Sequence, residues 1–206
     1  MKRIIYLTSI MLGCVLLVLS PGSLEADAEI GKPAPDFSGK DTQGKTHSLS
    51  TYKGKIVVLE WLNHQCPFVR KHYDGKKMQE LQKTYSQKGI IWLSVISSAP
   101  GKQGYCTPEE ADRLTEENDA SPTAVILDSE GEIGRLYGAK TTPHMFIIDK
   151  SGKLVYDGAI DDIRSVRIDD LKTATNYVQK ALDELLNSKE VSVQTSQPYG
   201  CSVKYK

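Results

Sequence analysis

The sequence predicts an α/β fold with a central mixed β-sheet, and three observations lead to this prediction. Residues 56–59 (IVVL) and 90–96 (IIWLSVI) are continuous apolar runs, which are typical of strands buried on both faces of a sheet. The helical segment between them, residues 67–88, makes the three a parallel β-α-β unit. A third apolar run at residues 145–148 precedes the turn sequence DKSG and a returning strand, so an antiparallel hairpin joins the same sheet.

The first 28 residues predict a secretory signal peptide. Lys2 and Arg3 precede an apolar run from residue 4 to 19, and Ala-Asp-Ala at 26–28 provides a cleavage site after Ala28. Cys14 leaves a lipoprotein signal open, and an uncleaved anchor is a third interpretation, although the run is short of the roughly 20 residues that span a bilayer. In each case the folded part is exported to the periplasm or cell envelope.

The mature chain is predicted to hold one domain, residues 29–187, followed by a polar tail, residues 188–206. The domain begins with an entry loop and a β-hairpin within residues 29–54. Asp74-Gly75 predicts a bend in the helix of residues 67–88. Thr-Pro-Glu-Glu at 107–110 is a capping box that starts another helix. A strand at 124–127 and a final helix over residues 168–187 complete the domain.

Composition and charge exclude several classes of function. The chain carries 26 basic and 26 acidic residues, so its formal charge is zero, and neither sign forms a long block. Nucleic acid is therefore not an expected partner. The sequence contains no nucleotide-binding motif and no paired His and Cys spacing of the kind that holds a metal, so neither a cofactor nor a metal is predicted.

Cys66 is the strongest candidate for chemistry. The strand at residues 56–59 leads towards it, and Pro67 follows in the position that proline favours at the first turn of a helix. The free amide groups and the macrodipole at a helix N-terminus stabilise a thiolate and lower the pKa of the thiol. A reactive thiol is therefore predicted, the alternative being a buried structural cysteine that acts as a small hydrophobic residue.

The cysteine count also favours redox chemistry. If the signal peptide is removed, Cys66, Cys106 and Cys201 remain. Three cysteines cannot all pair within one chain, and an oxidising compartment then leaves one of them free, shared between alternative partners or paired between molecules.

Three motifs give the element order a family resemblance: GKPAPDF at residues 31–37, the run 57–66, and Thr142-Pro143 followed by FIIDKSG at 146–152. The chain resembles the thioredoxin fold in its redoxin version, which includes the AhpC/TSA peroxiredoxins and the exported thioredoxin-like reductases. The resemblance covers about residues 30–186. It implies a three-layer α/β/α sandwich around a mixed sheet, extended by the N-terminal hairpin.

The resemblance also implies a binding site beside the reactive cysteine. Pro143 is expected to be cis and to pack against Cys66, while Thr142 offers backbone groups to a thiol or disulfide substrate. His64 by motif and His144 by resemblance are expected near the thiol, where either could tune its ionisation. The alternative for both histidines is an exposed polar position.

Departures from the family patterns leave the reaction open. A thioredoxin-type site has the pattern C-x-x-C, but Asn63 and Val69 stand where a second cysteine would be. A peroxiredoxin has P-x-x-x-T/S-x-x-C, but Leu59 replaces the proline and Asn63 the threonine, and Pro143 stands where an arginine is usual. Asn63 has the right size to hydrogen-bond a thiolate or a peroxide oxygen. Arg70 is a candidate source of positive charge, with a surface arginine as the alternative.

The resolving thiol is predicted to come from the tail. Residues 198–205 (PYGCSVKY) are too aromatic for a disordered end, and a flexible tail of some 19 residues could bring Cys201 to Cys66. The rival prediction is a static Cys106–Cys201 disulfide that leaves Cys66 free.

Three functions follow from these observations. In the first, an exported thiol-disulfide oxidoreductase uses the Cys66 thiolate as nucleophile and Cys201 as resolving thiol. In the second, an antioxidant thiol peroxidase uses Cys66 as its peroxidatic cysteine and forms a sulfenic acid. The third is a non-catalytic binding module. Both enzymes require a disulfide or peroxide substrate and an external thiol reductant, and no membrane partner is expected beyond an N-terminal anchor.

Overall fold

The computed structural model describes residues 28–206, and the predicted signal peptide lies outside this range except for its last residue, Ala28. Within these residues, no helix is long and apolar enough to span a membrane. The strands are β1 Ser38–Asp41, β2 Thr46–Ser48, β3 Val57–Trp61, β4 Ile91–Ile96, β5 Ala124–Leu127, β6 Thr141–Thr142, β7 His144–Ile148, β8 Leu154–Gly158 and β9 Cys201–Ser202. The helices are α1 Pro67–Asp74, α2 Lys77–Gln87, α3 Pro108–Glu117, α4 Glu132–Leu136 and α5 Tyr177–Leu186, with 3₁₀ helices at Leu49–Tyr52 and Ile168–Lys172.

The main sheet is mixed, as the sequence predicts. Its seven strands lie in the order β2-β1-β5-β4-β3-β7-β8. The three central strands β5, β4 and β3 are parallel, and antiparallel pairs flank them on both sides. In the central strand β3, Leu59 pairs with Leu93 on one side and with Phe146 on the other. The N-terminal hairpin β1-β2 extends one edge of this sheet.

Helices cover both faces and give the predicted three layers. Apolar residues of α1, α2, α3 and α5 form one core cluster with the facing side of the sheet. The other cluster joins the opposite sheet face to α4 and the first 3₁₀ helix. Alternate residues of β3 point into the two clusters, so this strand is buried on both faces, which is the reason for its continuous apolar sequence.

The helix boundaries confirm two predictions and correct a third. The bend at Asp74-Gly75 separates α1 from α2, and the Thr107 capping box starts α3. The single final helix predicted over residues 168–187 is wrong, because a 3₁₀ turn ends at Lys172 and α5 begins only at Tyr177. Asn176 caps α5 by accepting a hydrogen bond from the Gln179 amide at 2.8 Å.

Helix α4 was not predicted, and its sequence explains why. It has only five residues and contains Gly134, which is unfavourable within a helix. A Cβ atom at Gly134 would lie 2.4 Å from the hydroxyl of Tyr205, so the glycine makes room for the C-terminal tail. A contact 71 positions away in sequence (205 minus 134) therefore explains a residue that looks locally like a helix breaker.

The tail is ordered against the domain, so the prediction that it is flexible is wrong. Val191 and Tyr199 are both buried. The main chain of residues 203 and 204 hydrogen-bonds to Lys140 and Ala99 at 3.0 and 2.8 Å, and the Tyr205 hydroxyl donates to Ala139 at 2.8 Å. The polar composition of residues 188–197 favours disorder, but the aromatic residues beyond them have specific packing sites.

Candidate functional site: two thiols beneath a tail strand

Cys66 is the N-cap residue of α1, as the sequence predicts. Strand β3 ends at Trp61, and a short turn follows in which the side chain of Asn63 accepts a hydrogen bond from the Gln65 amide at 2.9 Å. Pro67 then occupies the first helical position. The Cys66 carbonyl accepts the first helical bond, from Arg70 N at 2.9 Å. This turn sets the thiol at the N-terminal end of the helix and leaves it fully buried.

The Thr142–Pro143 peptide bond is cis, which confirms the expectation drawn from the resemblance. The Cys66 thiol donates a hydrogen bond to the Thr142 carbonyl at 3.0 Å. The cis Thr142–Pro143 bond therefore lies beside the Cys66 sulfur.

The tail completes the site through a second, two-stranded sheet. Strand β9 pairs antiparallel with β6, so that Cys201 lies opposite Thr142 and Ser202 opposite Thr141. Gly200 allows this approach: its φ is +143°, and a Cβ atom there would lie only 2.0 Å from the Thr142 carbonyl oxygen. The tail strand thus passes directly over the cis-proline loop and brings Cys201 to Cys66.

The electrostatics distinguish the two cysteines. Burial raises the pKa of the Cys66 thiol, but hydrogen bonds from the Cys201 thiol and amide and from the Val69 amide outweigh it, so this pKa lies below its ordinary value. Burial, the hydrogen bond to Cys66 and the negative charge of Cys66 together raise the pKa of Cys201 to about 11. Cys66 therefore ionises more readily than an ordinary cysteine, whereas Cys201 retains its proton at neutral pH.

Cys106 has a different environment. It is buried in the core cluster, and its thiol donates to the Gly104 carbonyl at 3.7 Å. Burial and the nearby Glu110 carboxylate raise its pKa. Within residues 28–206, Cys66, Cys106 and Cys201 are all free thiols, and Cys201 pairs with Thr142 beside Cys66.

The contacts described for two of the predicted polar residues, Asn63 and Arg70, are with other side chains and the main chain. The Asn63 side chain accepts from Gln65 and packs against Gly104, whose Cβ would lie 2.3 Å from it. Its contacts therefore hold the turn before Cys66. Arg70 is exposed and pairs with Asp74 at 3.4 Å, which matches the alternative interpretation of a surface arginine.

Neither histidine is exposed: His144 is buried and His64 is partly buried. Burial lowers the pKa of His64 to about 4, so its ring is neutral at pH 7, and its Nε2 has no hydrogen-bond partner. The Nδ1 of His144 accepts from the Lys140 amide at 3.2 Å, so the proton is on Nε2, which contacts Asp157 at 2.7 Å. His144 thus joins β7 to β8.

Glu60 is a buried carboxylate that the sequence analysis missed. It lies six positions before Cys66 in β3 and points into the same core cluster as the thiol. Burial raises its pKa, and four donors hydrogen-bond its two oxygens. They are Tyr73 Oη at 2.8 Å, Trp92 Nε1 at 2.7 Å, Ser94 Oγ at 3.0 Å and Gln82 Nε2 at 3.2 Å. An acidic residue inside an apolar strand was the available signal.

The sequence analysis also missed a buried cluster of charged and polar side chains that packs against α1. We call it the tail clamp, and it consists of Lys71, His72, Asp161 and Tyr199. The Lys71 ammonium donates to Asp161 Oδ2 at 3.0 Å and to the Ile163 carbonyl at 2.9 Å. The Tyr199 hydroxyl donates to the other Asp161 oxygen. In sequence, Lys71 and His72 look like solvated helix residues, so no local signal was available.

Comparison with known proteins agrees with this geometry. Residues 30–157 match the model of the AhpC/TSA family. The chain is 32% identical over 150 residues to the thiol-disulfide oxidoreductase ResA of Bacillus cereus, a match that covers 72% of this chain and 81% of that protein.

Two solved structures show the same fold. The first is a conserved protein from Geobacillus kaustophilus, with 27% identity, a TM-score of 0.74 and coverage of 86% of this chain and 93% of that one. The second is the exposed lipoprotein thioredoxin Etrx1 of Streptococcus pneumoniae, with 26% identity, a TM-score of 0.52 and coverage of 73% and 100%.

A thiol at a helix N-terminus beside a cis-proline, in a three-layer α/β/α sandwich, defines a thioredoxin-fold protein with thiol-based redox function. Within that class, the chain belongs to the AhpC/TSA family of oxidoreductases.

Proposed function

We propose that this protein is an exported thiol-disulfide oxidoreductase whose redox pair is Cys66 and Cys201. The observation that carries the proposal is the position of Cys201. It pairs with Thr142 across β6 and β9, and the Thr142 carbonyl lies 3.0 Å from the Cys66 sulfur. The sequence analysis predicts this pair, with a static Cys106–Cys201 disulfide as the rival, and the position of β9 supports the first of the two. The similarity to ResA and to a thioredoxin supports disulfide exchange over other thiol chemistry.

The reaction proceeds in two exchange steps. The Cys66 thiolate attacks one sulfur of a substrate disulfide, forms a mixed disulfide and releases the first substrate thiolate, which takes up a proton. Cys201 then loses its proton, attacks the Cys66 sulfur and expels the second substrate thiolate. The substrate gains two electrons, the protein is left with a Cys66–Cys201 disulfide, and an external thiol reductant restores both thiols.

The pKa values suit these roles. The lowered pKa of Cys66 raises its thiolate fraction at neutral pH and makes Cys66 the better leaving group when the internal disulfide is reduced. The raised pKa of Cys201 keeps that thiol protonated, so it does not compete for the substrate. Thr142 and Pro143 are proposed to receive the substrate, at the position that β9 occupies in the structure.

Export is part of the proposal. Its support is the basic, apolar and Ala-Asp-Ala pattern of residues 1–28, together with the similarity to a thioredoxin that is an exposed lipoprotein. Protein or small-molecule disulfides and a thiol reductant of the same compartment are the expected partners.

Peptide mapping by mass spectrometry tests the assignment. The reduced mature protein receives one equivalent of a small-molecule disulfide, and a parallel sample receives one equivalent of hydrogen peroxide. Rapid formation of a Cys66–Cys201 bond with the disulfide supports the proposal, and a Cys106→Ala variant should behave in the same way.

Other outcomes point to other functions. Faster oxidation by peroxide, with a sulfenic acid on Cys66, would make the protein a thiol peroxidase. A Cys106–Cys201 bond with Cys66 left free would support the static disulfide instead. If neither reagent modifies Cys66, the redox assignment is wrong.

A further inference from the structure

The tail clamp contains an ion pair between two buried side chains, Lys71 and Asp161. Lys71 and Asp161 have side-chain exposures of 0% and 1%, and an ion pair at this depth costs desolvation free energy that its hydrogen bonds must offset. Lys71 lies in α1, the helix that begins at Cys66, and Asp161 follows β8. Neither needs the tail for its ion pair.

The tail nevertheless supplies the remaining hydrogen bond. Tyr199 donates its hydroxyl to Asp161 and packs its ring edge-on against Phe68, with the ring centroids 5.8 Å apart. The Lys71 ammonium lies 5.7 Å from the centroid of the Tyr199 ring, and His72 Nε2 is 3.5 Å from the hydroxyl. All these partners except Asp161 lie on the first two turns of α1.

Tyr199 is two residues before Cys201, with only Gly200 between them. The φ of this glycine is +143°, a backbone conformation that glycine adopts readily because it has no Cβ atom. Strand β9 itself contributes only a two-residue pairing. A strand this short holds its position weakly, so the tail beside the thiol also depends on Tyr199 before Cys201 and on the contacts of residues 203–205 after it.

We propose that the tail clamp holds Cys201 against Cys66. Tyr199 is the positioning residue, and Lys71 and Asp161 form the charged site that binds its side chain. The inference rests on the proposed function, because it assigns the clamp to the Cys66–Cys201 pair. The clamp raises the effective concentration of Cys201 at the Cys66 sulfur and keeps the tail strand over the site. It touches neither the substrate nor the reacting atoms.

The test removes one hydroxyl from the clamp and compares it with a matched change elsewhere. Tyr199→Phe keeps the ring and loses the bond to Asp161. Tyr85→Phe is the control, because the Tyr85 hydroxyl also donates to a carboxylate, that of Asp183 at 2.8 Å, away from the tail. The first measurement is the equilibrium constant for Cys66–Cys201 disulfide formation in glutathione buffers.

Tyr199→Phe should lower this equilibrium constant about tenfold, which corresponds to a rise of about 30 mV in reduction potential. Tyr85→Phe should leave it unchanged, even where both variants lower the thermal unfolding temperature. Asp161→Asn should act in the same direction as Tyr199→Phe and serves as the second variant if either folds poorly.

A second measurement does not depend on the disulfide. In a Cys201→Ser background, the rate at which iodoacetamide alkylates Cys66 reports how often the tail leaves the site. Adding Tyr199→Phe should raise this rate about tenfold, and adding Tyr85→Phe should not. Equal rates and equal equilibrium constants for the two tyrosine variants would show that the clamp only stabilises the fold, and the inference would be wrong.

The two measurements also separate the inference from the proposed function. If the wild-type protein forms no Cys66–Cys201 disulfide, the proposed redox pair is wrong. The alkylation rates then still decide whether the clamp holds the tail over Cys66.

Discussion

Individual residues at this site are controlled more by their hydrogen-bond partners than by burial alone. Cys66 is fully buried, which by itself would keep its thiol neutral, yet donors from the tail and from α1 lower its pKa. Cys106 is also buried but has an acceptor and a carboxylate nearby, and its pKa is raised. The same residue type therefore has opposite chemistry at two helix starts in one chain.

Two histidines that are shielded from solvent, the buried His72 and the partly buried His64, make the stability of the fold sensitive to acid. Burial lowers the pKa values of His64 and His72 to about 4, from an ordinary value of 6.5. Each favours the folded state fully above pH 6.5, and this contribution is lost as the pH falls towards 4, because the unfolded chain binds the proton first. The free energy of unfolding should therefore fall over this window, by up to roughly 3 kcal/mol for each histidine.

Urea unfolding of the reduced protein at several pH values between 7 and 4 measures this effect. A His64→Gln variant should show a shallower decrease than the wild type, because one of the two depressed pKa values is gone. An equally steep decrease in the variant would show that His64 does not contribute and that this part of the prediction is wrong.

At the scale of elements, the short β6-β9 pair matters more than its two residues suggest. It aligns Cys201 with Thr142 and brings the tail across the cis-proline loop. The main sheet, in contrast, supplies rigidity: β3 is hydrogen-bonded to β4 and β7 along its whole length and delivers Cys66 at its carboxyl end.

The Gly200→Ala substitution should break this pair. The new Cβ would meet the Thr142 carbonyl oxygen at 2.0 Å, whereas the same substitution at Gly44 meets nothing within 4 Å although its φ is +75°. Gly200→Ala should therefore release the tail strand, expose Cys66 and speed its alkylation in a Cys201→Ser background by at least tenfold.

Gly44→Ala is the control, since it also places an alanine at a positive φ but without the clash. It should lower stability by about 1 kcal/mol and leave the alkylation rate unchanged. Equal alkylation rates in the two variants would contradict a tail strand that closes over Cys66.

At the scale of the whole molecule, the chain closes on itself at the site. Cys66 and Cys201 are 135 positions apart (201 minus 66), so nearly the entire domain lies between the two thiols. Their disulfide would restrict the unfolded chain over that whole loop. In the chain-entropy account, a loop of this size stabilises the folded state by about 4–5 kcal/mol.

Oxidation should accordingly raise the stability of the whole domain. The oxidised wild-type protein is expected to unfold at a higher guanidinium concentration than the reduced protein. A Cys201→Ser variant should show one midpoint, close to that of the reduced wild type, with and without oxidant. A variant whose midpoint still rises on oxidation would show that another pair of cysteines forms the disulfide.

The amino-acid sequence by itself determined the strands β3, β4, β5 and β7, the capped helix α3, the bend between α1 and α2, and the position of Cys66 at a helix start. These features follow from apolar periodicity, capping residues and proline placement, which act within a few residues of one another. The family resemblance added the cis-proline beside the thiol.

Only the tertiary structure decided the order of the tail, the contact of Cys201 with Cys66, the burial of Lys71 and Asp161, and the tolerance of Gly134 within α4. Each of these depends on groups far apart in sequence. A lysine on a helix is solvated unless a distant carboxylate meets it, and a polar tail is disordered unless the domain offers a socket for its aromatic residues. The physical cause of each feature is a contact with a group that is distant in sequence, and a local sequence pattern contains no information about that group.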